Sequence, residues 1–460
     1  MFALSARQRR RVLVADLIST AVFPLAITGS TAVVPDVTAQ LPGADALGPW
    51  IVLAYNGLFA AALLLAGATA DRSARTRFFA IGNIVVAGTG FLSALAPDLL
   101  TLVALRTVAG IGAAMCAAGG SSMLLAVYPP EERRRVYGYA GAVLGSSLAL
   151  GPLVAQALMA AGGWPLVFVA PGAVATVAAL ATLTLPGLRS CAVSENFDRA
   201  GAVLFGVTVA AAVTALGLGF GAGVPWWVPV ALVLVAAASA IGLVRVERRA
   251  SDPAIPVDLL RIPAYRAYAL ATGAFMGMLV VGLAVLPQLG SAQGMGAGGA
   301  AVMLSLLTVP STLLPLLAAR IARRWARPLV TTALFTCAVT AVILQATNRP
   351  AALLLAAAVI GLCLGLTEGV PDGQALRYVP SERGGAGAAL FSTTRMSLET
   401  FTLAAATGLM AALGTSSGLA VAGAVCLIAA LVVRQAVPSR DTRSQPESLG
   451  SDISGPATQP

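Results

Sequence analysis

Apolar runs about one membrane span long recur along this chain from end to end. A hydrocarbon core of about 30 Å takes roughly 20 helical residues to cross. Lipid offers no water to satisfy backbone N–H and C=O groups, so each such run is constrained to be a helix. The runs fall near 13–36, 49–69, 78–96, 99–127, 136–160, 165–186, 201–221, 226–245, 266–289, 298–319, 328–346, 350–371, 386–411 and 416–436, which makes 14 predicted helices. With 58% hydrophobic and 10% charged residues in 460, an ordinary soluble enzyme is excluded. The fold class is an all-α polytopic membrane protein.

The basic residues set the topology. All 29 are arginine, and 26 of them fall in alternate inter-helix segments or at the ends: Arg7 and Arg9–Arg11; Arg72, Arg75 and Arg77; Arg133–Arg135; Arg189 and Arg199; Arg245, Arg248, Arg249, Arg261 and Arg266; Arg320, Arg323, Arg324 and Arg327; then Arg377, Arg383, Arg434, Arg440 and Arg443. One, Arg349, falls on the other side. A missed helix would scramble this alternation, so the positive-inside rule predicts both termini on the cytoplasmic side of a bacterial inner (plasma) membrane. The net charge of +10 therefore marks topology, not nucleic acid. Exclusive arginine with abundant Ala, Gly and Val is the pattern of a GC-rich bacterial genome. Trp50, Trp164, Trp226 and Trp227 fall at predicted outer ends, where aromatic rings anchor, and Trp325 lies among the inner arginines.

Histidine is absent, and the five cysteines (Cys116, Cys191, Cys337, Cys363 and Cys426) form no CxxC. Neither a metal site nor a disulfide framework is expected. No P-loop, HExxH, GxSxG or DDxxD pattern occurs, so neither enzyme chemistry nor a cofactor is expected. The first run reads as a retained helix, not a signal peptide. The Ser-, Pro-, Asp- and Gln-rich tail, 438–460, reads as disordered.

Charges at membrane depth are the functional candidates, because each is costly there. Arg106 stands in LRTVAGIGAA of helix 4, and either sits among neighbouring carbonyls or serves proton coupling; we favour the latter. Arg395 and Glu399 share a face of helix 13 at i, i+4 spacing and can pair. Glu368 lies in helix 12 (GLTEGVPDG), with Asp372 one turn on. With no histidine available, Glu368 and Glu399 are the best proton carriers. Asp16 and Asp36 lie nearer the ends of helix 1 and read as interfacial. Helix 5, GAVLGSSLALGPLVAQ, carries a small-residue face at Gly141 and Gly145 and a bend signal at Gly151-Pro152. The charged turn GATADRSARTR, Gly67 to Arg77, belongs at the membrane surface, and its glycine and small residues allow close helix approach.

These motifs, in this order, resemble the major facilitator superfamily, in particular its 14-helix drug:proton antiporter branch. Gly67, Asp71, Arg72 and Arg75 match the loop 2–3 signature GxLaDrxGrk, with Thr69 for its Leu and Ala74 for its second Gly; Arg77 completes the stretch. The resemblance implies a cytoplasmic latch there. It makes Arg106 the proton-linked arginine of helix 4, and Gly145, Gly151 and Pro152 the antiporter motif of helix 5, where Ala155-Gln156 replaces the usual Gly-Gly. Many relatives carry an Asp in helix 1 nine residues before the proline; here that position is Ala26. This weakens the case for cationic drugs and admits a neutral or anionic metabolite.

The resemblance implies a 6 + 2 + 6 arrangement: an N-terminus, 1–12; a six-helix bundle, 13–186; two central helices with linkers, 187–262; a second bundle, 263–437; and the tail, 438–460. It implies proton-coupled export of a small hydrophobic drug or secondary metabolite by alternating access, with Asn56, Gln156 and Gln288 among the polar groups lining the cavity. The partners expected are substrate, protons and the lipid bilayer, with no nucleic acid and a monomeric state. Same-fold alternatives are a lipid or lipid-linked precursor flippase and a proton-coupled nutrient importer.

Overall fold

In the computed structural model the described residues are 4–43, 47–188, 198–218, 225–247, 259–346, 349–379 and 384–437. Every regular element among them is a helix: α1 (Ala6–Gln40), α2 (Trp50–Arg72), α3 (Arg75–Ser93), α4 (Leu99–Val127), α5 (Pro130–Gly162), α6 (Trp164–Thr182), α7 (Arg199–Leu218), α8 (Trp227–Glu247), a 3-10 turn (Leu259–Arg261), α9 (Pro263–Ala292), α10 (Ala297–Leu313), α11 (Pro315–Gln345), α12 (Pro350–Thr367), α13 (Val370–Leu376), α14 (Gly384–Leu413) and α15 (Ser416–Ala436). Twelve of the described helices are long and apolar enough to cross a membrane. Shorter apolar stretches, Leu150–Gly162 of α5 and Gly298–Pro310 of α10, bring the apolar segments to the number expected.

Hydrogen bonds between helix ends show the up-down alternation. On the arginine-rich face the Tyr128 hydroxyl, after α4, donates to the Arg9 carbonyl of α1 at 3.0 Å. Arg327 of α11 donates to the Arg434 carbonyl of α15 at 2.7 Å. On the opposite face the Leu99 amide, opening α4, donates to the Pro42 carbonyl after α1 at 3.0 Å. Gln345 of α11 donates to the Ser416 carbonyl of α15 at 2.7 Å.

Three of the boundaries that differ from the sequence expectation have a local cause. The α1 helix starts before its apolar run, because Ser5 and Gln8 form a capping box that lets the arginine segment take helical form. The expected loop between helices 10 and 11 is largely helical: α10 ends at Leu313, and α11 runs from Pro315 through a kink at Trp325 (φ −125°). Helix 12 does not reach residue 371. It breaks after Thr367, because Gly369 takes a left-handed conformation (φ 72°) open to glycine, and Pro371 then starts a new helix, α13. The tail and Cys191 lie outside the described residues.

The packing repeats after eight helices. In the N-terminal half α1 packs on α5 and α6, α2 on α4, and α3 on α4 and α6; in the C-terminal half α9 packs on α14 and α15, α10 on α12, and α11 on α12 and α15. The halves meet through α2 with α14 and α5 with α10, a second pair related by the same correspondence. The α7 helix leans on both α2 and α14, and α8 on α7. Burial follows: 89% of the most apolar window of α9 is buried, against 11% for α8.

Lipid is as apolar as leucine, so tight contact here depends on small residues. A Cβ on Gly110 of α4 would overlap the Tyr55 carbonyl of α2, and one on Gly361 of α12 would overlap the Leu306 carbonyl of α10. Corresponding helix pairs in the two halves thus make corresponding backbone approaches. Trp226 and Trp227 are exposed, as ring anchors should be. Trp164 is not: it is 6% exposed and packs edge-on against Phe168 at 5.9 Å, a core residue where an anchor was expected.

Candidate functional site

The break after α12 places the first charged group. The Thr367 hydroxyl turns back to the Cys363 carbonyl at 2.7 Å, and the chain leaves helical geometry at Glu368. Glu368, expected inside a helix, therefore caps one, half-buried and facing Asp372 of α13 and Arg395 of α14. Asp372 accepts a hydrogen bond from the Thr272 hydroxyl of α9 at 2.9 Å. Glu399, a turn beyond Arg395, is 5% exposed and feels the same guanidinium.

Three carboxyl groups and one arginine are thus gathered from α12, α13 and α14, with α9 supplying a donor. The expected Arg395–Glu399 ion pair is not formed: among the described residues the ion pair within 4.0 Å is Arg9 with Glu132, at 3.8 Å. Arg395 instead points a guanidinium nitrogen at the Met396 sulfur, 3.6 Å away. Three carboxylates against one guanidinium would leave the group with a net charge of −2; Glu399 is buried, and Glu368 and Asp372 are half-buried. Two bound protons make it neutral, which is the condition a membrane interior favours.

Arg106 has a different environment. It is 4% exposed and donates to the Ile51 carbonyl (3.0 Å), the Ala26 carbonyl (3.0 Å) and the Ser30 hydroxyl (3.3 Å). Its guanidinium carbon lies 4.2 Å from the centre of the Tyr55 ring and 5.7 Å from that of Phe168. It borders a hollow of about 10 Å³, room for one water, lined also by Thr89, Ser93 and Pro171. The carbonyl-held arrangement weighed against proton coupling is the one this geometry contains. The position where relatives carry an acid supplies a backbone oxygen instead, from Ala26.

The remaining candidates scatter. Asn56 is fully buried, and neither amide atom has a partner among the described residues; the neighbouring Tyr55 hydroxyl also lacks one. Gln156 is half-buried. Gln288 is exposed and turns back to its own helix at the Ala284 carbonyl (2.9 Å). Gly151 and Pro152 are buried, and a Cβ on Gly151 would overlap the Thr28 hydroxyl of α1. Gly145 lies within α5, where its surroundings fall outside the described set.

In the expected latch, α2 ends at Arg72 and α3 begins at Arg75, a two-residue turn. The side chains of Asp71 and Arg72 lie outside the described set, while Arg75 is half-buried and Arg77 exposed. Among the described residues, nothing lies within 4 Å of a Cβ on Gly67. Thr76 instead ties the turn to the end of α6, donating to the Pro186 carbonyl (2.9 Å) and accepting from the Leu188 amide (3.1 Å). Asp36 is exposed as expected for an interfacial residue; Asp16 is not, being 6% exposed between α1, α3 and α4. Ser19, one turn on, is a second polar residue on the same helical face.

Residues 17–190 match the family model described as Major Facilitator Superfamily. The chain is 30% identical over 258 residues to the puromycin resistance protein pur8 of Streptomyces alboniger, covering 56% of this chain and 48% of that protein. It is 29% identical over 274 residues to the uncharacterized MFS-type transporter EfpA of Mycobacterium tuberculosis, covering 57% and 51%. It is 30% identical over 226 residues to the methylenomycin A resistance protein of Streptomyces coelicolor, covering 47% and 46%. The chain thus spans about half the length of the curated relatives it matches.

Proposed function

We propose that this chain, whose residues 17–190 match the Major Facilitator Superfamily model, exports a small, largely hydrophobic compound in exchange for protons, by alternating access across a bacterial plasma membrane with both termini cytoplasmic. The observation that carries the coupling is the gathering of Glu368, Asp372 and Glu399 near Arg395. A group that is neutral with two protons bound, and doubly negative without them, changes its solvation needs as protons enter and leave. That links proton occupancy to whether the surrounding helices stay closed. The resistance proteins among the relatives support export, and a dedicated antibiotic or related metabolite as the substrate class.

The substrate path would run between the halves. Asn56 and Tyr55 supply polar atoms left without partners in this arrangement, which parting of the halves would offer to substrate or water. Arg106 would serve as the clamp that keeps α1, α2 and α4 together while the halves move.

The test is accumulation of a fluorescent hydrophobic dye in a pump-deficient bacterium expressing the full chain, with and without a protonophore. Export predicts lower accumulation, abolished by the protonophore and by Glu368→Gln with Glu399→Gln. Protonophore-resistant export, or export unchanged in the double variant, refutes the coupling. Uptake in place of export favours the importer reading, and lipid movement in proteoliposomes the flippase.

A further inference from the structure

A second buried acid lies outside the C-terminal group. Asp16 of α1 packs so closely on α4 that a Cβ on Gly120 would overlap its carboxyl oxygen, with the Phe79 ring 3.4 Å from the same position. On the arginine-rich side it is covered by an apolar plug: Val12, Ala15, Phe79, Met123 and Leu124 are each no more than 2% exposed. On its other side lies a neutral polar network. The Ser19 hydroxyl donates to the Asn83 side-chain Oδ1 at 2.9 Å, the Asn83 Nδ2 donates to the Phe79 backbone carbonyl at 2.9 Å, and the Cys116 thiol lies within hydrogen-bonding reach of Ser19.

Among the described residues, the titratable group that faces Asp16 from a neighbouring helix is the Cys116 thiol of α4. No arginine among the described residues does so. Arg106 sits about 21 Å further along α4 at 1.5 Å per residue, with Nε and one Nη donating to carbonyls of α2 and α1. A carboxylate held this way has neither counter-ion nor bulk water, and a neutral carboxyl group is the form that fits.

We propose that Asp16 is a proton-binding site of the N-terminal half, separate from the C-terminal acids. With its proton bound, the carboxyl group packs against Gly120 and holds α1 on α3 and α4. When the O–H bond breaks, the proton passes to water entering the pocket. The carboxylate then requires that hydration, so the plug must loosen.

Infrared difference spectroscopy of the purified full-length protein, stepped between acid and alkaline pH, tests this. The carbonyl stretch of a protonated, dehydrated carboxyl group is present in the wild type, one such band is missing in Asp16→Asn, and Asp16→Asn melts no lower than the wild type. Retention of every band in Asp16→Asn overturns the proposal, with a lower melting temperature identifying an ionised acid that had a cationic partner. If Asp16→Asn does not survive purification, Gly120→Ala carries the test: it displaces the carboxyl group and shifts one band, and an unshifted spectrum overturns the proposal. The readout needs neither substrate nor gradient, so its failure leaves the export reading standing, and absence of export leaves this one standing.

Discussion

Gly110→Ala is the sharpest test of how the N-terminal half is held together. The added methyl group would overlap the Tyr55 carbonyl oxygen, and would lie 3.1 Å from the Phe59 amide nitrogen and 3.2 Å from the Tyr55 carbonyl carbon. All three are backbone atoms, so no side chain can swing aside. Restoring ordinary contact takes a retreat of about 1 Å between α2 and α4, and overpacking of this kind costs about 1–3 kcal/mol. The displaced segment also bears the Ile51 carbonyl and the Tyr55 ring that hold Arg106. Weakening one charge-assisted hydrogen bond adds about 1.5–3 kcal/mol. The expected total is roughly 3–5 kcal/mol. Thermal unfolding of the detergent-purified protein measures it, with Gly67→Ala as the comparison because its methyl group meets nothing among the described residues within 4 Å. Gly110→Ala should melt well below the wild type and Gly67→Ala beside it. Equal melting temperatures for the two variants would refute the close-approach argument.

Asn56→Leu replaces a sealed amide without partners by an apolar group of similar size, and should stabilise the protein by about 1–3 kcal/mol while impairing transport; thermal melting with dye export measures both. Thr272→Val removes the donor to Asp372 and should cost about 1–2 kcal/mol, whereas Thr272→Ser should cost less; melting of the two variants decides it. Gln288→Ala should leave export unchanged in the dye assay, because its side-chain amide is committed to the Ala284 carbonyl of its own helix.

Much of the architecture is legible without coordinates. Lipid acts on each segment separately, so apolar length and arginine alternation identify the spans one by one. Glu368 and Glu399 stand out for the same reason, as charged residues in otherwise apolar runs. Rotation of a helix about its axis is not legible this way. Lipid and protein core are equally apolar, so a spanning helix needs no polar stripe to mark its outer face. That is why Gln288 and Asn56 look alike in sequence, yet one is exposed and the other sealed.

The same ambiguity hid the burial of Asp16. Its distance along α1 suggested an interface, but the fit to Gly120 and the plug around Phe79 come from α4 and α3. The partners of Arg106 are backbone oxygens, which every residue possesses, so no pattern of side chains could announce them. Local chemistry and the bilayer determined where this chain crosses the membrane and where its charges are costly. The tertiary structure decided which helical faces meet, and with them which charges gain a partner, because that depends on contacts between residues far apart in the chain.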